Sequence, residues 1–302
     1  MLSRPDFYRL CCLKTGHRFA QRPGDWLVIS LGDAADDRGL SRNRQKLIAS
    51  TRVRKNGRDL EHWTVVTIKP AGDQAVTVEF ADRIDADVNA RVIALADALK
   101  ARPVEGIVET VPTYRSLLVY YDPGRIRGAQ LMPLLHERVE HLTEGGENTT
   151  RHFRVPVCYR GDNALDLADL AEIKNISPEE LIALHTAADY RVYMIGFAPG
   201  FTYLGGLPEA LHTPRLAVPR QKVAAGAVGI GGAQAAINSL SGPSGWRYIG
   251  RTPLRLFDPE RADPSFFRAG DTIRFFEIGA DEMAALERRA AAGEAIVKPE
   301  AA

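Results

Sequence analysis

Cysteine is scarce in this 302-residue chain: three residues in all, Cys11, Cys12 and Cys158, with no CxxC spacing among them. That excludes a disulfide framework and a zinc ribbon, and it points to a reducing, cytoplasmic setting. Charge of one sign is lacking too, since Lys+Arg 39 stand against Asp+Glu 38. A protein built to grip a phosphate backbone normally carries a clear positive excess. No apolar run approaches the roughly 18 residues of a membrane span, and no export signal opens the chain. No Gly-Lys dipeptide occurs anywhere, so any contact with ATP proceeds without a Walker loop.

Two further motifs fall away on spacing. HERVEH (136–141) looks like a zincin helix, but His136 and His141 are five apart and diverge by roughly 140° around a helix, so they cannot share a metal. GPSGW lacks the G-x-S-x-G spacing of a nucleophile elbow. No metal site is expected.

What is present falls into four segments. Residues 1–62 are basic, with Lys and Arg well ahead of Asp and Glu and only brief apolar runs, and read as a disordered leader. Residues 63–150 read as an α/β domain. QAVTVEF alternates like a half-buried strand, and the helix that follows places Val88, Val92, Leu95 and Leu99 on one face. GIVETVP, SLLVYYD, a second helix suggested by Ile126, Leu131, Leu134, Leu135 and Val139, and a closing strand FRVPVCY complete a βαββαβ, ferredoxin-like order. Residues 151–280 start with two short helices, the second opened by a capping box at Ser177 and Glu180. Short strands, glycines and prolines then recur in the manner of a folded or closed all-β unit. Residues 281–302 read as a helical or frayed tail.

The stretch RVYMIGFAPGFTYLGGLPEALHTPR (191–215) crowds rings among four glycines. Each glycine forgoes a side chain that could pack, so either the chain turns sharply or something lies close to this backbone. The same choice applies to AAGAVGIGGAQ (224–234): ligand approach, or tight packing in a barrel.

Read together, VYMIGFAPGFTYLGGLP, TPRLAVPRQKVAAGAVGIGGAQ, GPSGWRYIGRTPLRLFDP and AGDTIRFFEI resemble the allophanate hydrolase subunit 1 family, in register over about residues 64–279. The chain departs from the family in three places. Thr202 stands where proline is usual, GGAQAAINS replaces GGQTGIYP, and Ser244 precedes Gly245-Trp246 in place of glycine. The resemblance implies an α+β protein: a ferredoxin-like domain followed by a cyclophilin-like β-barrel. It also implies the B component of an ATP-dependent 5-oxoprolinase, with Mg2+ and ATP as cosubstrate. The partners it implies are an A component and a C component, the latter from the allophanate hydrolase subunit 2 family. The alternative is a protein-binding regulator, since one relative inhibits a histidine kinase.

A lactam acid needs a planar cationic fork for its carboxylate, a donor and an acceptor for its amide, and apolar walls. Arg220 and Arg251 are the candidates for carboxylate or phosphate, Gln234 for the amide, and Phe197, Phe201, Tyr203 and Trp246 for the walls. His185, at the end of the capped helix, is the candidate base. Each has a scaffold role open to it: Arg251 could pair with Asp258 or Asp271, Trp246 could be core, Gln234 could bond a neighbouring strand, and His185 could cap helix carbonyls or pack beside its neighbour strand. Arg215, five residues before Arg220, would point to the opposite face of a continuous strand, and Arg220 is preferred because it sits nearer the glycine-rich strand.

Overall fold

The structure, a computed structural model, describes residues 66–142 and 150–300 in full and the backbone alone over 46–55 and 58–65. Most of the leader, residues 1–45, therefore lies outside the described residues; the rest of it contains strands β1 (Lys46–Lys55) and the start of β2 (Arg58–Pro70). Residues 143–149 also lie outside them. Met1–Val65 and Val66–Ala302 are separate compact units.

Within the second unit, the part of β2 from Val66 onward belongs to the first sheet, in the order β2-β3-β5-β4, with β3 at Ala75–Glu79, β4 at Ile107–Pro112 and β5 at Ser116–Tyr121, each of these neighbours antiparallel. Helices α1 (Ala86–Ala101) and α2 (Gly128–Glu140) cover it. Helix α1 begins where the Asp85 carboxylate accepts the N–H groups of Asp87 and Val88, satisfying donors that the first turn leaves free. Its apolar stripe, Val88, Val92, Leu95 and Leu99, packs with Val76, Val78, Leu117 and Val119, as the sequence period requires.

The expected closing strand, FRVPVCY, is a strand but does not close this sheet. As β6 (His152–Val157) it pairs in parallel with β14 (Thr272–Glu277), which puts Phe153, Val155 and Val157 in the second core beside Ile273 and Phe275. Burial in that core, which local periodicity cannot see, chose the partner. The second sheet runs β13-β10-β11-β8-β7-β14-β6. Its remaining strands are β7 (Asp189–Ile195), β8 (Thr202–Gly205), β10 (Ala227–Gly231), β11 (Gln234–Ile237) and β13 (Arg247–Arg251). A small ribbon pairs β9 (Arg220–Val223) with β12 (Gly242–Ser244).

The sheet curls until its two edges touch. Cys158, just beyond β6, and Arg251, at the end of β13, exchange both backbone hydrogen bonds, at 2.8 and 3.0 Å. Helices α3 (Leu167–Lys174) and α4 (Pro178–Ala187) pack on the core, α4 opening with the reciprocal Ser177–Glu180 cap. The tail forms α5 (Ala280–Ala291). Among the described residues no helix is long and apolar enough to cross a membrane.

Strands β8, β10 and β11 present two different faces. Leu204, Val228, Ile230, Ala235 and Ile237 enter the main core, while Ala236 packs with Phe201, Tyr203, Trp246 and Tyr248 in a separate aromatic cluster. The period-2 alternation of a strand sorts them.

Candidate functional site

The glycines of the second sheet seat rings. A Cβ on Gly231 would lie 2.8 Å from the indole of Trp246, and one on Gly229 would lie 2.9 Å from the ring of Tyr248. On β8, a Cβ on Gly205 would meet the Tyr193 ring at 2.0 Å. Tight packing against aromatic faces therefore accounts for Gly205, Gly229 and Gly231, while a Cβ on Gly206 or Gly226 would instead meet the carbonyl oxygen of Asp189 or Thr252. The Pro199-Gly200 pair makes a turn: Phe201 N–H donates to Ala198 C=O at 3.0 Å, with Gly200 at φ +73°, the conformation that a type II turn demands of its third residue. Just before it Phe197 takes φ +70°, a rare conformation for a bulky residue, and is 78% exposed.

The rings form a continuous row. Tyr193 lies 5.1 Å from Tyr114, Tyr114 lies 6.0 Å from Tyr203, and Tyr203 packs on Phe201 at 4.7 Å and Trp246 at 6.1 Å. Tyr114 sits in the turn between β4 and β5, so the row runs from the first sheet to the second. Asn89 of α1, fully buried, fixes this junction by donating its amide to the carbonyls of Thr113, Tyr114 and Tyr193.

Arg215 ends the row. Its guanidinium carbon sits 4.7 Å from the centre of the Trp246 indole, within cation–π range. The backbone beneath it is pinned three times: Thr213 bridges Gly232, Pro214 C=O accepts from Arg247 Nε at 3.0 Å, and Leu216 N–H donates to Gly245 C=O at 2.7 Å. The side chain is exposed, and among the described residues no carboxylate pairs with it. Burial raises the phenol pKa values of Tyr114 and Tyr203, and the nearby Arg215 charge partly offsets this at both. The Tyr114 hydroxyl, shielded from solvent, has no hydrogen-bond partner among the described residues.

Of the residues singled out from sequence, Phe197, Phe201, Tyr203 and Trp246 belong to this row. Phe201 and Trp246 are buried, Tyr203 is half-buried and only Phe197 is open. Gln234 opens β11 opposite Gly231 and is half-buried, on the face that Ala236 shares with Tyr203.

Three of the expectations need correction. Arg220 is held by Asp166, whose carboxylate accepts both guanidinium nitrogens at 2.9 and 2.5 Å. Arg251 turns away to α5, pairing with Glu287 and Asn163, both at 2.6 Å, while Asp258 takes Arg255 and Asp271 takes Arg151. His185 lies wholly inside the core, stacked 4.8 Å from Phe275, with Nδ1 at 2.8 Å from the Tyr159 hydroxyl. Burial pulls its pKa down to about 3, so it is a neutral packing residue with no access to substrate. In each case a partner distant in sequence took the side chain. Residue order alone does not single out Arg215, Tyr114 or Asn89. Strand geometry argues against Arg215, yet Arg215 lies in a loop, where that geometry does not apply.

A cleft of about 390 Å3 lies elsewhere, along the β6–β14 edge under α5, lined by Arg154, Phe276, Glu282, Leu286, Val297 and Lys298, and holds none of the predicted residues.

Residues 66–267 match the carboxyltransferase domain family, subdomain C and D. The chain is 39% identical over 221 residues to the 5-oxoprolinase B subunit of Bacillus subtilis (strain 168), covering 70% of this chain and 92% of that protein. It is 40% identical over 217 residues to the 5-oxoprolinase B subunit of Haemophilus influenzae, covering 71% and 99%. In architecture it is similar to the crystal structure of Kluyveromyces lactis urea carboxylase, with a TM-score of 0.66 over 79% of this chain and 24% of that one. At 20% identity this last likeness speaks to the fold alone.

Proposed function

The chain belongs to the family of 5-oxoprolinase B subunits, and from that premise we propose that it serves as the B component of an ATP-dependent enzyme converting 5-oxo-L-proline to L-glutamate with an A and a C component. An unstrained lactam resists water because amide resonance protects its carbonyl carbon. Phosphate from Mg-ATP on the lactam oxygen supplies the leaving group that makes this carbon electrophilic.

Within that scheme the chain contributes one wall of the cavity. Tyr203 and Trp246 form the apolar surface, Phe201 supports them from behind, Gln234 offers both amide edges to the lactam, and Phe197 projects towards a second polypeptide that completes the enclosure. The curled second sheet is read as the cyclophilin-like barrel. The first sheet is read as a ferredoxin-like arrangement whose strand next to β3, β2, comes from upstream and not from FRVPVCY. His185, Arg220 and Arg251 hold the scaffold.

The observation that carries this reading is the ring row itself. It is anchored at buried Phe201 and Trp246 and reaches the surface at Phe197 and Arg215. A row that only filled a core would have no open end. The test is reconstitution: the chain purified with its A and C partners, given 5-oxo-L-proline and Mg-ATP, should form glutamate and ADP. Absence of glutamate with partners that support a bona fide B component would overturn it.

A further inference from the structure

Resting on the reading above, we infer that Arg215, stacked on Trp246, is the carboxylate-binding residue of the substrate cavity, with Tyr203 beside it as the floor for the lactam ring. A guanidinium lying over an indole uses its π face, and its five N–H donors remain directed outward around its edge. That edge accepts a planar carboxylate through two parallel hydrogen bonds.

Most arginines close to the second sheet have already committed those donors. Arg220 is on Asp166, Arg251 on Glu287, Arg151 on Asp271 and Arg274 on Asp189. Arg215 differs from these four: it lies against a ring, and no carboxylate among the described residues meets it. Arg154 also lies over a ring, that of Phe276, but in the cleft under α5 and away from the aromatic row. It is also positioned in advance. The Thr213–Gly232 bridge, the Arg247 bond to Pro214 and the Leu216 bond to Gly245 hold its backbone against β10 and β13, so little order remains to be imposed when an anion arrives.

A second observation points the same way. Tyr114 has a buried hydroxyl that finds no acceptor among the described residues, and buried polar groups are rarely left so. Its ring is 6.0 Å from Tyr203, and the Arg215 charge acts on both phenols. A cation without a carboxylate and a donor without an acceptor thus share one aromatic row. Both lack the same kind of group, an oxyanion. The apolar surface between them suits the small saturated ring of a lactam acid better than a triphosphate, which would need several cations.

The experiment measures equilibrium binding, without ATP, of 5-oxo-L-proline and of 2-pyrrolidinone, the same lactam lacking the carboxylate, to the chain assembled with its partner subunits. Calorimetry is run on the wild type, Arg215→Gln and Arg215→Lys. The expected result is that Arg215→Gln weakens the acid by roughly 10- to 100-fold, the range for losing a charge-assisted hydrogen bond. The neutral lactam should bind all three forms alike, and Arg215→Lys should fall between, keeping the charge but losing the fork. An Arg215→Gln complex that binds the acid as wild type does, a wild-type complex that binds neither compound, or a defect confined to ATP binding in a parallel titration would each overturn the assignment. A complex that shows the predicted Arg215-dependent binding yet forms no glutamate would instead remove the hydrolase reading and leave the carboxylate site standing.

Discussion

Arg220 and Asp166, 54 positions apart, are joined by two hydrogen bonds, and the Asp166 carboxylate is wholly inaccessible to solvent. The same carboxylate accepts the backbone N–H of Tyr248 at 2.7 Å, so it ties the start of α3 to β9 and β13 at once. The pair is one-sided in exposure, since the Arg220 side chain remains 31% accessible. Removing the arginine strands a charge that has no water to turn to.

Arg220→Ala should therefore behave as a stability mutant. Breaking a buried pair from one side costs about 3 kcal/mol or more, and in a body of this size that lowers the thermal midpoint by roughly 6 to 12 °C. Calorimetric melting checks it. The KM for 5-oxo-L-proline, measured at a temperature where the variant is folded, should stay close to wild type; a large rise with an unmoved midpoint would return Arg220 to the ligand site.

Gly231→Ala inserts a methyl group where the Trp246 indole lies, at 2.8 Å from a rigid ring. Overpacking of this kind costs roughly 1 to 3 kcal/mol. Because the indole must shift and carries Arg215 with it, the variant should also show altered tryptophan fluorescence and weaker substrate binding. An unchanged spectrum with an unchanged midpoint would contradict the close ring contact.

His185 governs a pH effect on stability and not on catalysis. Its pKa falls from the ordinary 6.5 to about 3 in the folded chain because the charged form would be buried. Between those values the unfolded chain binds the extra proton, so stability rises with pH across this window and is lost as pH falls from about 6.5 towards 3, by at most about 1.4 kcal/mol per pH unit. His185→Phe should flatten that slope. It also leaves the Tyr159 hydroxyl without its partner, so the variant should be roughly 1 to 3 kcal/mol less stable at neutral pH. Retention of turnover at neutral pH distinguishes this role from that of a base.

Asn89→Ala removes the amide shared by Thr113, Tyr114 and Tyr193. Three carbonyls would lose a donor, a loss of roughly 2 kcal/mol or more. Hydrogen exchange should accelerate in the turn between β4 and β5, and Tyr114 should lose its register against Tyr203. Unaltered exchange there would show that the ring contacts alone hold the junction.

Much of this architecture was legible in residue order. The helix over Ala86–Ala101, the cap at Ser177 and the strands QAVTVEF and SLLVYYD follow from periodicity and capping chemistry, which act over a few residues. The stretch rich in rings and glycines was legible as a place where side chains and backbone meet closely, though not which ring each glycine seats. FRVPVCY was legible as a strand but not as a partner of β14, and for Arg220, Arg251 and His185 both a chemical and a scaffold role were legible, but not the partners that decide between them.

By itself the sequence determined the family, the local elements and the aromatic character of the candidate site, because those depend on spacing along the chain. Only the tertiary structure decided which of Arg215, Arg220 and Arg251 is left without a carboxylate among the described residues. Asp166 captured Arg220 because a charge taken out of water holds the nearest opposite charge that the fold brings to it, and the more open Glu287 reached Arg251 from α5, each at a distance in sequence that no local pattern marks. Arg215 met a ring in place of a carboxylate, and that difference lies in strand register and loop path, which no local pattern encodes.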